Sequence, residues 1–185
     1  NTPKVPANCG ETTVKSKKLD TMVKTFRDNL KHEFNGFTVQ NKLTENNFAD
    51  FLGYKPLDKG CEPDGGIWFY NGLPVLVIEA KHEDKGGNAH QRWWENATII
   101  SISNPKCIYY TFATGIGCRK KWVDMQYMSY EAFNKRNLLD TRWSLNENGF
   151  TEQEVKETFI SLLNEILGKN NKPFQYPQPR GKLYD

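Results

Sequence analysis

A chain of 185 residues with 37% hydrophobic and 25% charged residues holds enough apolar material for one core and too much to stay disordered. Its net charge of only +3 excludes a uniformly basic nucleic-acid-coating protein, so any phosphate-binding surface has to come from local clustering. The four cysteines, Cys9, Cys61, Cys107 and Cys118, form no C-x-x-C pair and show no zinc-ligand spacing, which reads as reduced thiols in a cytoplasmic protein.

Residues 1–185 are read as one domain. No apolar stretch is long enough to cross a membrane, and Asn1-Thr2-Pro3-Lys4 lacks the basic start and apolar run of a secretory signal. Residues 1–13 carry two prolines and no periodicity, an irregular arm. From Val14 to Phe34, Leu19, Met22, Val23, Phe26, Leu30 and Phe34 recur at three and four, which predicts an amphipathic helix with lysines and arginines on its other positions. Gly36 to Leu43 reads as a short strand, and Thr44 to Leu52 as a short helix ending at Gly53.

Next, Asn71-Gly72 between two apolar runs predicts a tight hairpin, because a two-residue turn needs positive φ at both central positions. Its strands are Gly66 to Tyr70 and Leu73 to Lys81. His82 to Gly87 is a polar loop, and Asn88 a predicted N-cap for a helix through Trp93, Trp94, Ala97 and Ile100. Cys107 to Thr114 has the aromatic and β-branched content of a buried strand. Arg119, Lys120 and Lys121 form the densest basic cluster, readable as a phosphate-binding patch or as a solvated charge run. Helices are predicted at Ser129 to Asn137 and at Thr151 to Leu167, the second opened by a Thr151/Glu154 capping box. The tail, 169–185, is polar, proline-rich and extended. The five tryptophans are read as core. The whole predicts an α/β fold, a mixed central β-sheet flanked by helices.

The chemistry is concentrated on the hairpin. Side chains alternate along a strand, so Glu79 and Lys81 share one face while Ala80 points into the core, and Asp64 opens the neighbouring strand. Two carboxylates at one sheet end repel unless a hard cation lies between them, and Mg²⁺ takes one or two carboxylates and completes its shell with water and phosphate oxygens. Asp64, Glu79 and the Ala80 carbonyl are the expected Mg²⁺ ligands. Lys81 is assigned to positioning water and phosphate. His32, His82 and His90 are too few and too scattered for a histidine metal site, and His82 and His90 are assigned to DNA or supporting contacts.

Pro63-Asp64 followed by Glu79-Ala80-Lys81 resembles the PD-(D/E)XK nuclease motif. Gly86-Gly87-Asn88-Ala89-His90-Gln91-Arg92 narrows the likeness to the G-N-A-x-E-R segment of EcoRI- and MunI-like type II restriction endonucleases, with Gln91 where that family has glutamate. The likeness spans about thirty residues. It implies a restriction-endonuclease-like core and Mg²⁺-dependent cleavage of double-stranded DNA at a short palindrome, with an AATT core suggested. A two-fold homodimer would match such a palindrome. Glu33, at the end of the first helix, is a candidate extra acid, as a helix glutamate is in some nucleases of this group, and Glu62 is another acid beside the motif.

By residue type, asparagine or glutamine reads adenine through two hydrogen bonds, arginine reads guanine or phosphate, and alanine packs on a thymine methyl. Gly87, Asn88, Ala89, His90, Gln91 and Arg92 are therefore the candidate base-reading segment, with Arg119, Lys120 and Lys121 as candidate backbone contacts. Two other readings stand beside this one. One is a structure-specific repair or recombination nuclease using the same metal site. The other is a non-catalytic DNA-binding module in which Asp64, Glu79 and Lys81 form a salt-bridge cluster.

Overall fold

The computed structural model describes residues 16–42 and 62–168, Ser16 and Lys17 by their backbone alone. The predicted arm 1–13, the helix Thr44 to Leu52 and the tail 169–185 lie outside the described residues. The elements are α1 (Ser16–Leu30), β1 (Phe37–Gln40), β2 (Ile67–Tyr70), β3 (Leu73–His82), α2 (Ala89–Ser103), β4 (Ile108–Thr114), α3 (Lys121–Ser129), β5 (Asp140–Asn146) and α4 (Glu152–Ile166). A 3₁₀ turn, Ile116–Arg119, leads into α3, and a wide helical turn, Tyr130–Asn134, follows it.

The strands form one mixed sheet in the order β1-β2-β3-β4-β5. β1, β2 and β3 are antiparallel, whereas β3, β4 and β5 run parallel. The β2–β3 turn forms because Asn71 and Gly72 both take positive φ, 53° and 80°. A parallel β3–β4 pair needs a crossover, and α2 supplies it. The capping box of α4 is present: Glu154 N–H donates to Thr151 Oγ1 at 3.1 Å and Thr151 N–H to Glu154 Oε1 at 3.0 Å.

Both faces of the sheet are buried. On one, Leu19, Val23 and Leu30 of α1 and Val155, Phe159 and Leu162 of α4 pack on Trp68, Leu76, Ile78 and Phe112. On the other, Trp93, Ala97 and Ile100 of α2 and Trp122 and Met125 of α3 pack on Ile67, Val77, Tyr109 and Trp143. This corrects the expected division at the end of β3: Ala80 does face a core, but Glu79 is 2% exposed and equally interior.

Three further readings are corrected. α3 begins at Lys121, so the helix placed at Ser129 to Asn137 starts eight residues too late and covers mainly the wide turn. The sequence predicts no element over β5. Its polar sequence carries little strand propensity, yet it pairs along its whole length with β4, and Arg142 ties it to α4 by donating to Asp140 and Glu165 at 2.8 and 2.7 Å. Asn88 is the N-cap residue of α2, as expected, but its side chain makes no capping hydrogen bond.

Candidate active site at the end of the central hairpin

Pro63 to Gly66 form a tight turn leading into β2, and the turn is wedged against α1 and β3. Gly65 N–H donates to the Ile78 carbonyl at 2.8 Å, and Trp68 Nε1 to the Gly65 carbonyl at 3.0 Å. Only glycine fits here: a Cβ on Gly65 would lie 2.5 Å from Ile78 Cβ, and Gly66 has φ of +83°. The buried Arg27 of α1 donates to the Asp64 carbonyl at 3.1 Å, fixing the backbone beneath that carboxylate.

Asp64 comes to the end of β3, where Ala80 N–H donates to its Oδ2 at 3.4 Å and Lys24 Nζ lies 4.0 Å from Oδ1. Burial raises its pKa above the ordinary carboxylate value, while the Ala80 N–H, Lys24 and Lys81 pull the other way. Glu79 is held by three groups on one oxygen. Tyr109 O–H and the Asn96 side-chain amide donate to Oε2 at 3.1 and 3.4 Å, and Lys81 Nζ stands 3.7 Å away. Burial raises the Glu79 pKa as well; Lys81 opposes this and Asp64 adds to it.

A third acid joins them from α1. Asp20, half-buried, has its pKa pushed up to about 6, first by burial and then by Asp64, with Lys24 and Lys81 opposing and Glu79 adding. It takes the place expected of Glu33, which is exposed in the turn beyond α1. Glu62 is also exposed. Asp20, Lys24, Asn96 and Tyr109 were not anticipated. The signal for Asp20 lay in the periodicity: with Lys24 and Arg27 it marks a flank of the α1 apolar stripe, four and seven residues apart.

The carboxyl groups at this sheet end are hard oxygen donors with lysines beside them, Lys24 at Asp64 and Lys81 at Glu79, and hard oxygen donors suit a hard divalent cation better than zinc. Among the described residues, no three histidine, cysteine or acidic side chains are close enough to cage a metal by themselves. A cation here would draw on Asp64, Glu79, the Ala80 carbonyl and water.

The base-reading candidates sit at the start of α2. Gly87, Asn88, Gln91 and Arg92 are exposed, and Ala89 and His90 are half-buried. The helix body beneath them is anchored by Trp93, whose Nε1 donates to Thr111 Oγ1 at 2.8 Å, and by the Asn96 bond to Glu79. His82 is engaged at both ring nitrogens, with Thr114 and Asp84 at 2.8 Å each. The basic cluster divides: Arg119 is exposed and pairs with Glu147 at 2.7 Å, Lys120 is exposed, and Lys121 is drawn inward to Glu83 Oε1 and the Gly87 carbonyl at 2.5 and 2.7 Å. Lys121 therefore braces the loop that carries Gly87.

No helix among the described residues is long and apolar enough to cross a membrane. Compared with family profiles, with curated proteins and with solved structures, the chain gives no match.

Proposed function

We propose that this chain is a Mg²⁺-dependent type II endonuclease that hydrolyses phosphodiester bonds of double-stranded DNA at a short palindrome, acting as a cytoplasmic homodimer. The observation that carries the reading is the convergence of Asp20, Asp64, Glu79 and Lys81 at one sheet end, on the strand that runs into the loop before Asn88–Arg92. The succession of α1, three antiparallel strands, α2 and a parallel β4, with Asp64 in the turn that leads into β2 and Glu79 on β3, supports a PD-(D/E)XK-like core.

Asp64 and Glu79 would hold the cation, with the Ala80 carbonyl as a further donor. When bound, Mg²⁺ lowers the pKa of a water and offsets phosphate charge. Tyr109 and Asn96 orient Glu79 by occupying Oε2, and Arg27 holds the turn that presents Asp64. Lys81, 3.7 Å from Glu79, positions the attacking water and stabilises the negative charge that grows on the phosphate. Exposed Asn88, Gln91 and Arg92 at a helix start suit base edges in a major groove, and an AATT-centred target suits Asn88 and Ala89.

One observation favours the non-catalytic DNA-binding module: Lys81 already pairs with Glu79, and no three-acid cage is preformed among the described residues. Digestion of a long duplex of known sequence with Mg²⁺, beside Glu79→Ala and a chelator control, decides between them. Discrete ends sharing one palindrome, lost in both controls, are expected. Glu79-dependent smears would replace the site-specific enzyme with a structure-specific one, and DNA binding without cleavage would leave the binding module.

A further inference from the structure

Helix α2 begins without help from its own first residues. Asn88 stands at the N-cap, yet its side chain makes no capping hydrogen bond and the first turn holds no acidic residue. A helix start is ordinarily fixed by such a side chain, which also ties the chain direction at the entry. Here the tie comes from another element. Lys121, the first residue of α3, donates from Nζ to the Gly87 carbonyl at 2.7 Å, one residue before the cap.

The same Nζ donates to Glu83 Oε1 at 2.5 Å, so one ammonium holds both ends of the loop between β3 and α2, while Asp84, Lys85 and Gly86 between them are exposed. Glu83 is a firm anchor. It is 7% exposed, its N–H donates to the Thr114 carbonyl at 3.2 Å, and its carbonyl accepts from Gly117 N–H at 3.0 Å. Gly115 makes this approach possible, since a Cβ there would lie 2.4 Å from the Glu83 carbonyl oxygen. The carboxylate also answers an electrostatic problem, because a bare ammonium beside a helix N-terminus opposes the helix dipole and Glu83 cancels that charge.

We infer that Lys121, backed by Glu83, is the specificity-determining positioning residue of the base-reading segment. It fixes the start of α2 from outside and leaves the exposed Asn88 amide for a base edge instead of for the helix. The inference rests on the endonuclease reading for the bases that are read. Paired hydrogen bonds to a base edge tolerate little displacement, so a loosened entry to α2 costs discrimination between base pairs before it costs affinity for DNA.

The test compares the full chain with Glu83→Gln/Lys121→Met and with Lys121→Arg. The double variant leaves no buried charge without a partner, as Lys121→Met alone would. Arginine keeps the charge and the donors for both acceptors. Hydrogen exchange in EDTA without DNA comes first. The amides of Gln91 to Glu95 are expected to exchange about fivefold faster or more in the double variant, with Ile78 to Ala80 unchanged and Lys121→Arg like the parent. The second readout is kcat/KM on the target duplex, found by sequencing the cut ends, over kcat/KM on duplexes with one altered base pair. That ratio is expected to fall about tenfold or more in the double variant and to recover in Lys121→Arg. A uniform loss of affinity for every duplex, with a shallower salt dependence and the ratio intact, would make Lys121 a phosphate contact and overturn the inference. Because exchange is read without metal or DNA, loosened amides in a chain that cuts no DNA would sink the nuclease and keep the brace. Unchanged amides, or full discrimination in the double variant of a chain that does cut, would overturn the inference and keep the nuclease.

Discussion

Asp20→Asn separates the cost of the acid cluster from its use. In the folded chain the Asp20 carboxyl is pushed from 3.8 to about 6 by burial and by Asp64 and Glu79, against Lys24 and Lys81. The folded state thus holds this proton more tightly than the unfolded state. Between pH 3.8 and about 6 the unfolded chain has released it while the folded chain has not, so stability falls as pH rises through that window and is then level. At about 1.4 kcal/mol per pH unit the full cost would be about 3 kcal/mol. Asp20 is only half-buried, and screening by solvent brings this to about 1–1.5 kcal/mol. Asparagine does not titrate, so urea denaturation in EDTA should find the variant equal to the parent near pH 4 and about 1–1.5 kcal/mol more stable at pH 7.5. Added Mg²⁺ should stabilise the parent more than the variant. Parallel stability curves from pH 4 to 7.5, or a variant less stable at pH 7.5, would refute the coupling of Asp20 to Asp64 and Glu79.

Other substitutions test the remaining parts. Lys81→Met should lower kcat for duplex cleavage by about 100-fold or more, with the parental fold retained by circular dichroism. Asn88→Ala should relax base preference while cutting continues, at about 1–3 kcal/mol of discrimination per lost bidentate contact; sequencing of the cut ends reads this, and an unchanged target would remove Asn88 from recognition. Gly65→Ala should destabilise by about 1–3 kcal/mol because its Cβ would overlap Ile78, which a shift in the urea midpoint without change in slope would register.

Much of the hairpin was legible because local chemistry dictates it. Asn71-Gly72 can close a two-residue turn with few alternatives, although a register shift between Trp68 and Phe69, which the turn does not announce, sets which β3 residue Asp64 meets. The same holds for α4, whose capping box is a contact between residues three apart. β5 was illegible for the opposite reason. Asp140, Arg142, Ser144 and Asn146 alternate with Thr141, Trp143 and Leu145, a short period-two pattern with only two apolar members, and the strand is secured by its ladder with β4 and the ties of Arg142 to α4. The site shows the same split. Asp20 faces Asp64 because Leu19, Val23 and Leu30, packed on the sheet, set the rotation of α1, whereas Glu33 lies past the helix end in an exposed turn. Asn96 and Tyr109 reach Glu79 from separate elements, so no spacing could have announced them.

Helix α2 touches two events at once. Its first turn carries the exposed Gln91 and Arg92, and little more than one turn along the same rod Asn96 grips Glu79, a separation of only about 6–8 Å at 1.5 Å per residue. A rod pinned through Trp93 and Thr111 cannot shift at its tip without shifting at its middle. On the reading proposed here, a mismatched base pair that tilts the tip therefore withdraws the Asn96 amide from Glu79, and fidelity becomes a matter of leverage as well as of affinity.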